Sequence, residues 1–231
     1  MPDYQLLIFD WDGTLVDSIG RIVEAMHRAA DVGELPRCSD AEVRGIIGLE
    51  LGHAICTLYP ELDEPARIEA IRRAYSEQYL LLEREPSPLY EGVSESLAWF
   101  RDQGYQLAVA TGKGRNGLQR VLADKGWLDY FDITRCADET AGKPDPRMLH
   151  EIMAHCGVPP ERSLMVGDST FDLLMARNAG MDCVAVGYGA RPLSVLRECG
   201  PRLANNQFNE LRAWLDEHPL RRATGVSEHV G

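Results

Sequence analysis

The sequence predicts an α/β fold: a doubly wound parallel sheet interrupted by an all-helical block. Three observations predict it. Residues 5–9 (QLLIF) form a continuous apolar run ending at Asp10, and similar short runs recur at 107–110, 133–136, 164–166 and 183–186. Runs without alternation suit strands buried on both faces, as in a parallel sheet. Helical patterns separate the later runs, and alternation of strand with helix is the signature of parallel α/β architecture. Finally, the stretch from about residue 19 to residue 85 holds no strand pattern at all.

The helical block begins with Ile19, Ile22, Val23, Met26 and Ala30, which repeat at helical spacing. Ser39 and Glu42 form a capping box ahead of Val43, Ile46 and Ile47. Pro65 opens a further helix, 66–82, because proline lacks an N–H that the first turn does not need. A return linker at 84–90 (REPSPLY) carries two prolines that restrict the backbone.

Beyond it, residues 94–103 read as a helix stopped by Gly104. Asn116 is the expected N-cap of a helix at 117–125, with Gly126 just past its end. Pro146 starts a helix reaching about Cys156, and 171–179 is followed by the stop Gly180. The expected division is therefore 1–16 and 88–217 for the sheet-based core, 17–87 for a helical cap, and 218–231 for a polar, poorly ordered tail.

Composition narrows the function. The 24 basic and 36 acidic residues leave a formal charge of −12. An acidic protein has no electrostatic attraction to nucleic acid or anionic membranes, so neither is an expected partner. No apolar run reaches the ~20 residues of a membrane-spanning helix, and the first ten residues lack the pattern of a signal peptide. The six cysteines are scattered, with no C-x-x-C pair, and read as free thiols of a reducing, cytoplasmic compartment. Lysine occurs only at 113, 125 and 143.

Four strings carry the chemistry. Asp10-Trp11-Asp12-Gly13-Thr14 follows the first strand. Carboxylates crowded at a strand end repel unless a cation intervenes, and an all-oxygen set suits Mg²⁺. An acidic loop that merely ends a strand is the competing reading. Thr111-Gly112-Lys113-Gly114 follows the second strand. Its hydroxyl and amides suit phosphate oxygens, although Gly112, Gly114 and Gly117 also match the G-x-G-x-x-G of a nucleotide-cofactor oxidoreductase. Lys143, held in Gly-Lys-Pro-Asp-Pro, offers a point charge to a phosphate. Asp168 and Asp172 follow the fourth strand at i, i+4 spacing and share a helix face if the helix starts early. Helix capping is the alternative explanation for that pair.

Together, in this order, the four strings resemble the haloacid dehalogenase-like hydrolase superfamily, from about residue 7 to residue 215. The resemblance implies a Rossmann-like core with a helical cap between the first and second motifs. It implies Asp10 as nucleophile, Asp12 as general acid/base, and Thr111 and Lys143 as phosphoryl-binding groups. It implies Mg²⁺ held by Asp10, the Asp12 carbonyl, Asp168 and Asp172. The D-G-T-L-V-D-S opening and Gly187-Tyr188-Gly189 look most like phosphoglycolate phosphatases, so a small phosphorylated metabolite is the expected substrate. Gly112, and in the cap region Arg44, Gly48 and Leu49, are the expected substrate contacts. A β-phosphoglucomutase-like mutase is the alternative, needing a second phosphate site that Arg44 would supply. Dehalogenases lack an acid at the place of Asp12, and phosphonoacetaldehyde hydrolases need a cap lysine that residues 1–112 do not contain. Monomer and homodimer both fit.

Overall fold

A computed structural model describes residues 3–83 and 86–217. The polar tail expected at 218–231 lies outside the described residues, as do the first two residues of the return linker.

The sheet has six parallel strands: β1 (Leu6–Phe9), β2 (Gln106–Thr111), β3 (Ile133–Cys136), β4 (Ser163–Gly167), β5 (Asp182–Val186) and β6 (Leu203–Asn205). Their spatial order is β3-β2-β1-β4-β5-β6. β1 therefore lies in the middle, where the chain's direction of winding reverses. In such sheets ligands bind beyond the carboxyl ends of the strands at that reversal.

Alternate strand residues face opposite layers, as the pleat requires. Leu7 and Phe9 of β1 join Val109, Val166 and Val184 in one cluster. α5 (Val93–Gln103), α6 (Arg115–Asp124) and α10 (Phe208–Asp216) cover that face. Leu6 and Ile8 join Ala108, Ala110 and Met165 in the other. This face is covered by α7 (Arg147–Cys156), α8 (Thr170–Asn178) and the short α9 (Leu193–Leu196). The continuous apolar runs of the sequence are thus explained: β1 has no solvent face.

Between β1 and α5 come α1 (Ile19–Val32), α2 (Asp40–Ile46), α3 (Leu51–Leu58) and α4 (Pro65–Leu82). They enclose a cluster of their own that includes Val23, Met26, Ile55 and Ile71. The Ser39–Glu42 capping box forms as expected. The chain leaves the sheet and returns along adjacent paths: the Asp17 amide donates to the Pro88 carbonyl and the Tyr90 amide to that of Leu15.

Three sequence readings need correction. α6 begins two residues early, at Arg115 after Gly114, because Asp138 Oδ1 and Oδ2 accept from the Arg115 amide and do the capping expected of Asn116. α8 begins at Thr170, so Asp168 precedes the helix and does not share a helical face with Asp172. β6 was not anticipated, since three residues give no periodicity to read.

Phe100 is fully buried against Phe9 and Phe208, with centroids 6.2 and 6.4 Å away. Phe100→Ala is expected to cost about 3–5 kcal/mol of unfolding free energy, measured by urea denaturation.

Candidate active site

β1 delivers Asp10 to the sheet's carboxyl edge, between the ends of β2 and β4. The chain then turns sharply: the amides of Leu15 and Val16 return to the Trp11 carbonyl, and the Gly13 amide donates to the Val16 carbonyl. Gly13 has φ +85°, and a Cβ there would sit 2.1 Å from Asp168 Oδ2. Only glycine permits both that backbone and that approach.

From the other side, β4 ends at Gly167, and Asp168 and Asp172 follow. Asp168 Oδ1 accepts from Thr14 Oγ1 at 3.2 Å, and Oδ2 from the Ala190 amide at 2.6 Å. Asp172 closes a capping box with Ser169, accepting from Ser169 Oγ at 2.6 Å. Its other oxygen, Oδ1, accepts from Lys143 Nζ at 2.6 Å. Asp172 therefore serves as both a cap and part of the polar cluster.

Lys143 is 1% exposed and lies with its ammonium 2.7 Å from Asp10 Oδ1. Burial opposes its charge, but the Asp10 and Asp172 carboxylates hold it above the ordinary ammonium range. Burial pushes Asp10 up to about 7 against the pull of Lys143, with the Asp172 and Asp12 charges adding to the rise. Asp168 is raised well above the usual carboxylate range by burial, then by Asp10 and Asp172.

Asp10, Asp168 and Asp172 place carboxylate oxygens within 4.8 Å of one another, all buried. Fully ionised, three carboxylates and one ammonium sum to 1 − 3 = −2. Asp10 Oδ1 has ion-pair contact but no aligned hydrogen-bond donor. An all-oxygen donor set with two uncompensated negative charges fits a hard divalent cation.

Thr111 ends β2 and is 1% exposed, with its Oγ1 accepting from the Lys113 amide at 3.1 Å. Asp12 accepts from Ser18 Oγ at 2.7 Å and pairs with Lys113 Nζ at 3.1 Å. A Cβ at Gly112 would meet the Gly48 and Leu49 carbonyls at 2.5 and 2.7 Å. The α2–α3 loop therefore covers the glycine string, whose close approach serves this packing.

Above the carboxylates opens a cavity of about 510 Å³. Asp10, Asp12, Thr111 and Gly112 form part of its floor; Gly48 and Leu49 reach it from the helical block. Arg44, the expected cap contact, is not among its lining residues; Arg72, Lys113 and Arg120 are. Sequence reading also missed Glu83, whose side chain is 4% exposed and pairs with Arg120 at 2.5 Å and Arg21 at 3.6 Å. No motif marks these residues, which only the folded chain brings together.

Residues 7–186 match the model of the haloacid dehalogenase-like hydrolase family, and the chain belongs to that family. A protein named "Probable phosphatase IndB", from Dickeya dadantii, is 36% identical over 89% of this chain and 91% of its own length. The phosphoglycolate phosphatase of Nitrosococcus oceani is 30% identical over 92% and 97%. The crystal structure of a hydrolase from Pseudomonas syringae superposes with TM-score 0.83, at 24% identity, covering 92% of this chain and 98% of that one. Within the family this chain is a phosphoric monoester hydrolase, similar to the phosphoglycolate phosphatases. That assignment replaces the nucleotide-cofactor reading of Gly112, Gly114 and Gly117. No helix among the described residues is long and apolar enough to cross a membrane.

The raised Asp10 gives a pH signature. The unfolded carboxyl ionises near pH ~3.9, whereas the folded one holds its proton to about 7. Folding then loses stability as pH rises through that window, and the loss is complete above it. In EDTA, Asp10→Asn, which mimics the neutral acid, should gain in Tm over the parent between about pH 4 and 7. Mg²⁺ should narrow that gap by raising the parent's Tm, as read by thermal shift.

Proposed function

We propose that the enzyme is a Mg²⁺-dependent phosphatase that hydrolyses a small phosphorylated metabolite through an aspartyl-phosphate on Asp10. The observation that carries the reading is the convergence of Asp10, Asp168 and Asp172 around buried Lys143, at the floor of a cavity that Thr111 also lines.

Asp10, the Asp12 carbonyl, Asp168 and Asp172 would hold the ion, which when bound neutralises charge on the phosphoryl oxygens. Lys143 and the Thr111 hydroxyl orient the phosphoryl group. An Asp10 carboxylate oxygen bonds to phosphorus as the bond to the ester oxygen breaks. Asp12 acts as the general acid that delivers a proton to the departing alkoxide. The same carboxylate then takes a proton from water as that water attacks the phosphorus, releasing inorganic phosphate and restoring Asp10.

Lys113 and Ser18 fix Asp12 in place for both transfers. Helices within 17–87 act as a cap that excludes bulk water and surrounds the alcohol portion. A mutase needs a second phosphate site, whereas among the described residues each cation lining the cavity already has a carboxylate partner.

With Mg²⁺, the protein should release phosphate from p-nitrophenyl phosphate, and EDTA should abolish this. Asp10→Asn should lower kcat by at least about 10³-fold, since it removes the attacking group. Full activity in a folded Asp10→Asn protein sinks the mechanism. Asp12→Asn should also lose turnover, most severely for esters of poorly acidic alcohols, where protonation of the leaving oxygen matters most.

A further inference from the structure

Phosphoryl transfer uses the floor of the cavity and leaves its upper part unexplained. At about 510 Å³, the cavity falls within the ~300–1,000 Å³ of sites that enclose a whole organic ligand. A two-carbon alcohol such as glycolate would fill little of it. Its walls are mostly apolar: Ile22 and Met26 from α1, Ile47 and Leu49 from the α2–α3 loop, and the rings of Tyr75 and Tyr79 from α4. The two rings lie 5.9 Å apart, tilted by 34°.

The charges point the same way. Arg72 pairs with Glu50 at 3.3 Å and Glu69 at 3.2 Å, and Arg120 pairs with Glu83. Lys113 pairs with Asp12 and sits 4.7 Å from the Tyr79 ring centre. Glu50 and Asp138 add acidic groups to the lining. Of these pairs only Lys113–Asp12 is well buried, so a second anionic group on the substrate would be disfavoured mainly by repulsion from the Asp12, Glu50 and Asp138 carboxylates that share the lining. An apolar body would meet walls that favour it.

We propose that the substrate is a phosphate monoester of an uncharged alcohol with a ring-sized apolar body, seated against Tyr75 and Tyr79, and that phosphoglycolate is a poor substrate. The proposal rests on the phosphatase reading and adds the class of alcohol. It makes the cap residues selective by shape and polarity, with no dedicated salt bridge to the substrate.

The test compares kcat/KM for 2-phenylethyl phosphate and phosphoglycolate, both esters of primary alcohols, using the full chain with Mg²⁺. The expected result is a preference for 2-phenylethyl phosphate of about 10–100-fold, the scale of discrimination an apolar pocket supplies. Leu51→Arg and Leu80→Arg each add a cation to the lining, and each should cut that preference by about tenfold. Leu80 is 49% exposed, so its replacement spares the core. A kcat/KM for phosphoglycolate equal to or above that for 2-phenylethyl phosphate overturns the substrate class and leaves the phosphatase reading in place. An unchanged preference in both variants overturns its assignment to this cavity. Hydrolysis of neither ester, nor of p-nitrophenyl phosphate, overturns both readings.

Discussion

The crevice depends on one buried ammonium group. Lys143 Nζ lies between Asp10 and Asp172, and both contacts are shorter than 3 Å. Burying charge is costly, and a buried ion pair repays that cost only with good geometry and further hydrogen bonds. Those bonds are present: Asp172 is satisfied by Ser169, and Asp168 by Thr14 and the Ala190 amide. The carboxylates still outnumber the cation, and the raised Asp10 and Asp168 express that excess. The fold thus holds a site short of positive charge, which suits the divalent cation of the proposed mechanism.

Sheet and helical block contribute differently. The parallel sheet fixes Asp10, Thr111 and Asp168 on neighbouring strand ends through backbone registers that tolerate little drift. The helices supply apolar walls and contact the core at few polar points. Gly48 and Leu49 press against Gly112, Arg191 donates to the Gly45 carbonyl, and Glu83 joins Arg120 and Arg21. In the proposed reaction, water exclusion and alcohol recognition therefore fall to one part of the chain and the reacting groups to another.

Core residues were legible in the sequence because each obeys a local rule. Strand ends fell within one residue of the apolar runs, and the expected stops Gly104, Gly126 and Gly180 all adopt positive φ beyond helices. Asp10, Asp12, Lys143, Asp168 and Asp172 were marked by strings that place them after strands. The joint between the parts was illegible. Arg72 and Arg120 sit on helices and Glu83 just past the end of α4, where a charged residue looks like any solvated surface position, and only packing brings the two arginines to the cavity and Glu83 to Arg120. The i, i+4 spacing of Asp168 and Asp172 suggested convergence for a reason that does not hold: the two meet because Ser169 caps α8 between them.

The same contrast explains why family membership says more about the reaction than about the alcohol. In the proposed mechanism the four strings address only the phosphoryl group and its cation, whatever ester is cleaved. Ile22 and Met26 repeat at helical spacing, and so read as packing residues of α1, yet they also line the cavity. A helix that buries one apolar stripe against its neighbours and turns part of it toward a substrate leaves no separate mark in the sequence. Specificity built from shape and apolar contact is therefore written in the residues that fold the cap. It becomes visible only once α1, α4 and the α2–α3 loop are seen to enclose the space above Asp10.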